Sequence, residues 1–415
     1  MPGQNEEVIV AAVDIGTTKV CTVIAEVKED EINVMGVGWQ ENCGVQKGAI
    51  VNIADTVDAI SKSVKKAEEM ANIKVDGVLA SISGKHISGI KGHGVTALSH
   101  TKQKEITEGD IERAMEGATN VPMPQDKEKI HVLPVQYIVD SQDEIENPLG
   151  MTGLKLEVDA YVITGSVTSV ENIRKVVEKA GYDVEDIILQ SLASANAVLY
   201  KDEKEVGVLV LDIGGGTTDM ALYYKGALRF ARVIPFGGQL ITNDLVKALQ
   251  TPKATAEEIK KKYGLYMEGE GAADEIIDVV DMGNSKVSKV EHSRLNDYIK
   301  PRIVELVKLV EVELEREGID RGMYAGGIVL TGGTSLLKGI DEAMKEEMGI
   351  RVRVGAPLKE KVVGLYDIVS TPEYSTVIGL VDYFMKDQAV TNMFLKKSGF
   401  FDSLVASIKK LLSSI

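Results

Sequence analysis

Two stretches of this chain share one alternation of apolar and turn-forming residues. VIVAAVDIGTTKVCTVIAEV occupies positions 8–27, and VGVLVLDIGGGTTDMALYYKG occupies 206–226. Each reads as a β-branched apolar strand, a glycine-threonine turn and a second apolar strand. Asp14 and Asp212 close the first strand of each pair and lie 198 positions apart. That spacing is a domain length, so the pattern predicts two related halves. A third stretch, GGIVLTGGTSLLKGI at 326–340, predicts a buried strand, a Gly-Gly turn and the start of a helix. Thr334 and Ser335 are placed to cap that helix.

Between the opening strands and position 166 lies a block with its own order. KVDGVLASISGKHISGIKGHG (74–94), EITEGDIERAMEGA (105–118) and the run 127–166 read as strand, helix, then strands. Thr107 to Asp110 form a capping signal between Ile106 and Ile111, and NPLGM is a turn. The last sixteen residues, FFDSLVASIKKLLSSI, carry helical periodicity. At about 100° per residue, Phe400, Phe401, Leu404, Val405, Ile408, Leu411, Leu412 and Ile415 fall within roughly 140° of arc. Lys409 and Lys410 lie on the other face. The preceding MKDQAVTNMFLKKSG has no strong pattern and reads as a tether.

Composition sharpens this picture at a few points. The chain has 415 residues, enough for more than one domain and a real core. Its net charge is −16, while residues 396–415 carry +3, so the body is at −19. An acidic body argues against non-specific nucleic-acid binding, which needs a basic surface. It also sets off the basic tail as a match for anionic lipid. Two cysteines, Cys21 and Cys43, fit a reducing cytoplasm rather than a disulfide scaffold. The five histidines are scattered, without metal-ligand spacing. The N-terminus lacks the basic start of a signal peptide, and no stretch reaches eighteen apolar residues, so the expected location is cytoplasmic.

The glycine turns carry candidate chemistry. Their backbone N–H groups and threonine hydroxyls can converge on phosphate oxygens. An aspartate at the strand end suits a hydrated Mg²⁺ held through water. One such hairpin is a common structural turn; two copies a domain apart point to phosphate binding. Gly332 and Gly333 let a flat ligand approach the backbone. GxxxxGK[ST] and GxGxxG fingerprints are both absent from the sequence.

These three motifs in this order resemble the actin-like ATPase superfamily, an α/β, ribonuclease-H-like, duplicated two-half fold. The resemblance implies that the two hairpins clamp the phosphates of ATP from opposite sides and the third motif backs the adenosine. By position, Asp14, Gly16, Thr17, Thr18 and Lys19 match the first phosphate motif; Asp212, Gly214, Gly215, Gly216, Thr217 and Thr218 match the second; Gly332, Gly333, Thr334 and Ser335 match the adenosine motif. Asp14 and Asp212 would be the carboxylates facing Mg²⁺. TAEEIKKKYG (255–264) resembles the helix that contacts ribose and base, through Glu257 and Lys260. RVIPFGGQLITNDL (232–245) resembles the loop after the second hairpin, with Gly237 and Gly238. ILQSLASANAVL (188–199) and YSTVIGLVDYF (374–384) resemble the two connecting helices. Gln190 stands where relatives orient the attacking water, and Ser191 where many have proline. A neutral glutamine positions water but is a poor general base, so slow or undetectable turnover is expected.

Within the superfamily, IHVLPVQYIVD, NPLGMTGLKLEVDAYVITG, GKHI, LASANAVL, PFGGQLITNDL and the amphipathic end resemble the FtsA family of bacterial cell-division proteins over essentially the whole chain. That resemblance implies ATP-bound filaments of the chain with itself. It implies attachment of the tubulin-like FtsZ ring to the inner face of the membrane, at the division septum, through the C-terminal helix. It also implies recruitment of later division proteins, with the inserted subdomain taking part. The FtsZ C-terminal peptide would dock on the outer subdomain of the second half, where Arg294, Lys300 and Arg302 resemble the docking surface.

The expected segments are 1–83 and 165–204 for the first-half core, with the insertion at 84–164. The second-half core takes 205–240 and 305–372, with the outer subdomain at 241–304. A returning connecting helix (373–386), a flexible linker (387–399) and the membrane helix (400–415) complete the chain. A sugar or acetate kinase on the same fold is the alternative, but no polar sugar-binding constellation accompanies the motifs. A chaperone-like ATPase would need a substrate domain after Phe384, where the expected chain has only a tether and a helix. A pilus-assembly or ethanolamine-utilisation relative of the same fold is a further option, and the continuous FtsA-like insertion argues against it.

Overall fold

The computed structural model describes residues 8–28, 31–99, 103–267, 275–283 and 286–395. The first glycine hairpin is formed by β1 (Val8–Ile15) and β2 (Lys19–Lys28), followed by β3 (Glu31–Glu41) and α1 (Ile53–Ala71). β4 (Gly77–Ile82) leads into the insertion: β5 (Ser88–Ala97), α2 (Glu108–Thr119), β6 (Lys127–Val139), β7 (Gln142–Ile145) and β8 (Lys155–Ser166). The chain returns through α3 (Val167–Ala180) and β9 (Asp183–Leu189) to α4 (Gln190–Val198). The second half starts with β10 (Val208–Ile213), β11 (Thr218–Tyr224) and β12 (Ala227–Ile234). Then come α5 (Gly238–Leu249), α6 (Lys253–Tyr263), the hairpin β13 (Ile276–Val280) and β14 (Val287–Glu291), and α7 (Asn296–Arg316). β15 (Ile328–Thr331), α8 (Ile340–Met348), β16 (Val352–Val354), β17 (Val362–Gly364) and α9 (Ser375–Leu395) follow.

The duplication read from the two hairpins is a duplication of topology. The first-half sheet has the order β9-β4-β1-β2-β3-β17 and the second-half sheet β16-β15-β10-β11-β12. In both, three antiparallel strands are extended by two parallel ones on the side of the first strand. The strands before the two turns are apolar on both faces because both faces are covered. Val208 and Val210 join the core of the first half, while Leu209 and Leu211 join that of the second.

The insertion forms its own sheet, β7-β6-β8-β5, with α2 laid across it and a separate small core. Asp110 accepts the Thr107 backbone N–H at 2.9 Å and so closes the capping box read from the sequence. Asn147 Oδ1 accepts the Leu149 N–H at 3.0 Å and sets the NPLGM turn.

Two expected boundaries shift. α9 continues to Leu395, nine residues into the segment read as a flexible linker at 387–399. Neither glycine nor proline interrupts 387–395, so the backbone has no reason to stop there. The boundary placed at 304 falls inside α7, which runs on to Arg316. The tail residues 400–415 lie outside the described residues.

The halves are joined where α4 and α9 cross. All nine residues of α4 are buried. A Cβ on Gly379 of α9 would stand 1.8 Å from the Ala193 carbonyl oxygen of α4, so only glycine permits this approach. Gly379→Ala should therefore lower stability by about 1–3 kcal/mol or more, from the strain of overpacking. Urea unfolding will show this as a lower midpoint with an unchanged slope.

Candidate functional site

The two glycine turns are closed alike. Gly16 N–H donates to the Lys19 carbonyl and Gly214 N–H to the Thr217 carbonyl, each at 2.9 Å. Their tips touch across the cleft. A Cβ on Gly215 would lie 2.5 Å from Thr18 Cγ2, and one on Gly216 would lie 2.6 Å from Thr17 Oγ1. Glycine at both positions is what lets the opposite hairpin come this close. The Thr218 hydroxyl is turned away, donating to the Phe236 carbonyl at 2.9 Å. Asn42 supports the first turn from behind, its Nδ2 donating to the Gly16 carbonyl at 2.8 Å.

Buried carboxylates stand under the two turns. Asp14 Oδ1 accepts hydrogen bonds from Ser81 Oγ and Gln190 Nε2, both at 2.8 Å. Asp212 Oδ2 accepts from Thr376 Oγ1 at 3.0 Å and from Ser194 Oγ. Asp219, paired with Asp212 in the hairpin register, accepts from Ser83 Oγ at 2.6 Å, a bond that crosses from one half to the other. Burial raises all three carboxyls, to about 6 for Asp212 and about 8 for Asp219. Repulsion from Asp14 adds to this at Asp212, and repulsion from Asp212 and Asp14 adds to it at Asp219, while the Lys19 ammonium opposes it at Asp14 and Asp212. Lys19 Nζ donates to the Glu373 carbonyl at 2.6 Å and lies 5.3 Å from the centre of the Tyr374 ring.

The outer wall comes from the second half. Gly332 has φ +80, and a Cβ there would fall 2.2 Å from Asp212 Oδ1. The position thus requires glycine for its backbone and for the room it leaves the carboxylate. Thr334 Oγ1 donates to the Gly214 carbonyl at 2.9 Å and Ser335 Oγ to the Gly332 carbonyl at 2.7 Å. Neither caps the following helix, contrary to expectation. They sit in a 3₁₀ turn, Gly333–Leu336, and α8 starts only at Ile340 after Gly339, whose φ of 78° breaks the path. The Gly237-Gly238 loop packs on the second turn, with Gly238 and Gln239 N–H donating to the Gly214 and Gly215 carbonyls at 3.0 and 2.9 Å.

Glu257 and Lys260 lie just behind that loop. Lys260 Nζ donates to Glu257 Oε2 at 2.7 Å, Thr242 Oγ1 at 2.9 Å and the Gly238 carbonyl at 3.3 Å. Burial alone would raise the Glu257 carboxyl, but the neighbouring ammonium holds it below its usual range. Arg294, Lys300 and Arg302 lie on other elements. Arg294 is in the 3₁₀ turn His292–Leu295. Arg302 grips Asp244 of α5 through Nε at 2.5 Å and Nη2 at 3.1 Å, and Lys300 pairs with Glu346 at 3.1 Å. Lys300 also edges an open groove of about 780 Å³ along α7, with Val304, Lys308, Leu309 and Val312.

The residue types fit a phosphate and a hydrated cation. Two glycine turns face each other over carboxyls whose pKa values are raised by burial. Among the described residues, no three His, Cys, Asp or Glu side chains are grouped to bind a metal ion directly. Single carboxylates at Asp14 and Asp212 suit an ion that keeps its waters, as Mg²⁺ does. The sequence reading missed Ser81, Ser83, Asp219, Ser194 and Thr376. Ser81 was available inside a strand and Ser83 just past its end, and Asp219 as the second carboxylate of DIGGGTTD.

Comparison with known proteins places this geometry. The family profile described as cell division protein FtsA matches residues 209–379, and the one described as the SHS2 domain inserted in FTSA matches 84–164. The cell division protein FtsA of Pseudomonas aeruginosa is 40% identical over 382 residues, covering 92% of this chain and 90% of that protein. This chain belongs to the FtsA family of cell-division proteins. The FtsA of Bacillus subtilis is 35% identical over 396 residues, covering 95% of this chain and 87% of that protein. Solved structures share the actin-like fold. The PilM-PilN type IV pilus biogenesis complex is 17% identical with a TM-score of 0.64, covering 90% of this chain and 98% of that one. MreB 5 of Spiroplasma citri bound to AMPPNP is 14% identical with a TM-score of 0.56, covering 93% and 99%.

Two outcomes follow from the buried groups. Folded protein keeps the Asp219 proton up to about pH 8, whereas an unfolded chain releases it near its ordinary value of 3.8. The folded state then binds more protons between these limits, so Asp219 makes stability fall as pH rises through that window. Without nucleotide or Mg²⁺, Asp219→Asn should flatten that fall and be more stable than the parent at pH 8 in urea titrations. The Ser191 hydroxyl is fully buried and finds no partner among the described residues. Ser191→Ala should leave the Tm unchanged or raise it, because no hydrogen bond is lost.

Proposed function

We propose that this FtsA-family chain binds ATP with Mg²⁺ in the cleft, assembles with itself into filaments, and tethers the FtsZ ring to the cytoplasmic face of the membrane at the septum. The observation that carries the nucleotide reading is the pair of touching glycine tips, Thr17–Thr18 against Gly215–Gly216, above Asp14 and Asp212. Backbone N–H groups of both turns would hold phosphate oxygens, and Lys19 would turn from the Glu373 carbonyl to the bound anion. Asp14 and Asp212 would hold Mg²⁺ through its waters, which supplies neutralising charge to the phosphates. Gly332 and Gly333 would admit the adenosine, with Gly237, Gly238, Glu257 and Lys260 shaping its outer wall.

Gln190 is held by its amide against Asp14 and Ser81, at 2.8 and 3.1 Å. That bond presents its carbonyl oxygen as a fixed acceptor for one water. A neutral amide orients water without taking its proton, which supports slow turnover.

The tail would act as an interfacial anchor. Sixteen helical residues measure about 24 Å, short of the ~30 Å hydrocarbon core. Phe400, Phe401 and their apolar neighbours would lie in the interface with Lys409 and Lys410 at the headgroups. One such helix binds reversibly, and a filament multiplies it into firm attachment. The FtsZ C-terminal peptide would dock on the outer subdomain along α7, where Lys300 and Lys308 flank the exposed Leu309 and Val312. Arg302 would brace that helix through Asp244, while the insertion recruits later division proteins.

Sedimentation with anionic liposomes and ATP, followed by electron microscopy, tests this reading. The full chain should pellet and form membrane-bound filaments. The chain ended after residue 395, and Phe401→Glu, should stay in the supernatant while binding ATP as the parent does. Pelleting of the shortened chain overturns the anchor, and failure of the parent to bind ATP overturns the nucleotide site.

A further inference from the structure

The inserted sheet touches both halves with one face. β6 and β8 pair so that His131 stands opposite Ile163 and Leu133 opposite Tyr161, which places all four on the same side. Tyr161 reaches the second half: its hydroxyl accepts the Ala231 N–H at 3.0 Å and donates to the Ala231 carbonyl at 3.4 Å. His131 reaches the first half. Its Nε2 accepts the Leu189 N–H at 3.0 Å. Leu189 is the last residue of β9, the edge strand of the first-half sheet, and the residue before Gln190. An edge strand needs outside partners for its outward N–H groups, and a histidine supplied by the insertion meets this one.

The histidine has a defined state. Since Nε2 accepts, the ring proton is on Nδ1, which faces the Tyr383 hydroxyl of α9 at 3.3 Å. The two rings meet edge to face with centroids 5.3 Å apart. The ring is 6% exposed, and burial pushes its pKa down to about 4, so it stays neutral and keeps its acceptor. One side chain thus joins the insertion, the strand that ends at Gln190, and the second crossing helix.

We propose that His131 is a positioning residue that couples the inserted subdomain to the cleft through the Leu189 amide and Gln190. A shift of β6 moves the backbone from which the Gln190 side chain reaches Asp14. The same path runs outward, so a change at Asp14 and Gln190 is felt by β6. The proposal rests on the reading of Gln190 as a nucleotide-site residue.

Hydrogen–deuterium exchange of the full chain tests it. The segment 127–139 is followed in the parent, Gln190→Ala, His131→Phe, His131→Gln and the double variant Gln190→Ala/His131→Phe, with and without ATP and Mg²⁺, and ATP binding is measured in parallel. Phenylalanine keeps the ring and loses the acceptor; glutamine offers an acceptor at a similar reach. Without nucleotide, Gln190→Ala should speed exchange in 127–139 by about five-fold, and should not do so when His131 is phenylalanine. ATP should slow the same segment in the parent and in His131→Gln but not in His131→Phe, with ATP affinity unchanged. The proposal is overturned if 127–139 in the parent responds neither to Gln190→Ala nor to ATP, or if His131→Phe responds as the parent does. If the parent binds no ATP, the nucleotide reading fails alone, and the nucleotide-free comparison still decides the link. His131→Asn, too short to reach Leu189, replaces His131→Phe should that variant not fold.

Discussion

The crossing of α4 and α9 sets the geometry of everything above it. Gly379 against the Ala193 carbonyl brings the two helix backbones into direct contact. Side chains at this crossing then hold the cleft. Ser194 of α4 and Thr376 of α9 meet at 3.0 Å, and both donate to Asp212. Gln190, at the start of α4, holds Asp14. A bulkier contact at Gly379 would separate the helices and so pull on the carboxylate of one half while displacing the amide that orients the other. Packing and site are therefore one constraint, argued from backbone contact rather than from the charged groups themselves.

That constraint explains why the fold tolerates its acidic centre. Burial raises Asp14, Asp212 and Asp219, Asp14 adds repulsion at the other two, and Lys19 opposes the rise at Asp14 and Asp212. Burying a carboxylate is costly unless it is hydrogen-bonded or paired. Hydroxyls at Ser81, Ser83, Ser194 and Thr376 provide part of the compensation, and a bound cation would provide more. Such a centre is stabilised by what it binds. The Ser83–Asp219 bond also spans the halves, so whatever relieves the charge favours their approach.

The sequence was most legible where a single residue type has a single physical use. Glycine-threonine turns between apolar strands showed the two hairpins and hence the duplication. Thr107 and Asp110 showed the helix of the insertion. Legibility failed where the partner is distant in the chain. Nothing near Ser81 or Ser194 says that a carboxylate 67 or 18 positions away will need a hydroxyl. Arg302 read as part of a peptide-docking surface, and its sequence neighbours give no sign that Asp244, 58 positions earlier, claims its guanidinium. Thr334 and Ser335 looked like helix caps because local rules favour them there; the αL backbone of Gly339 delays the helix and gives their hydroxyls to the loop. The linker at 387–399 read as irregular because its apolar residues lack a period, but a helix needs only the absence of a breaker to continue from a well-packed start.

The histidines show the same limit in reverse. Their scatter along the chain argued against a metal centre, and that argument was blind to any other use. His131 pairs with an amide 58 residues away and a tyrosine 252 residues away. Both partners are fixed only once the insertion has docked on the finished core. An insertion that merely decorated the surface would satisfy its polar groups internally, as Asp110 does within α2. Here the buried face instead spends His131 on one half and Tyr161 on the other. That allocation ties the position of the insertion to the angle between the halves, and an actin-like body that changes this angle would move its insertion with it.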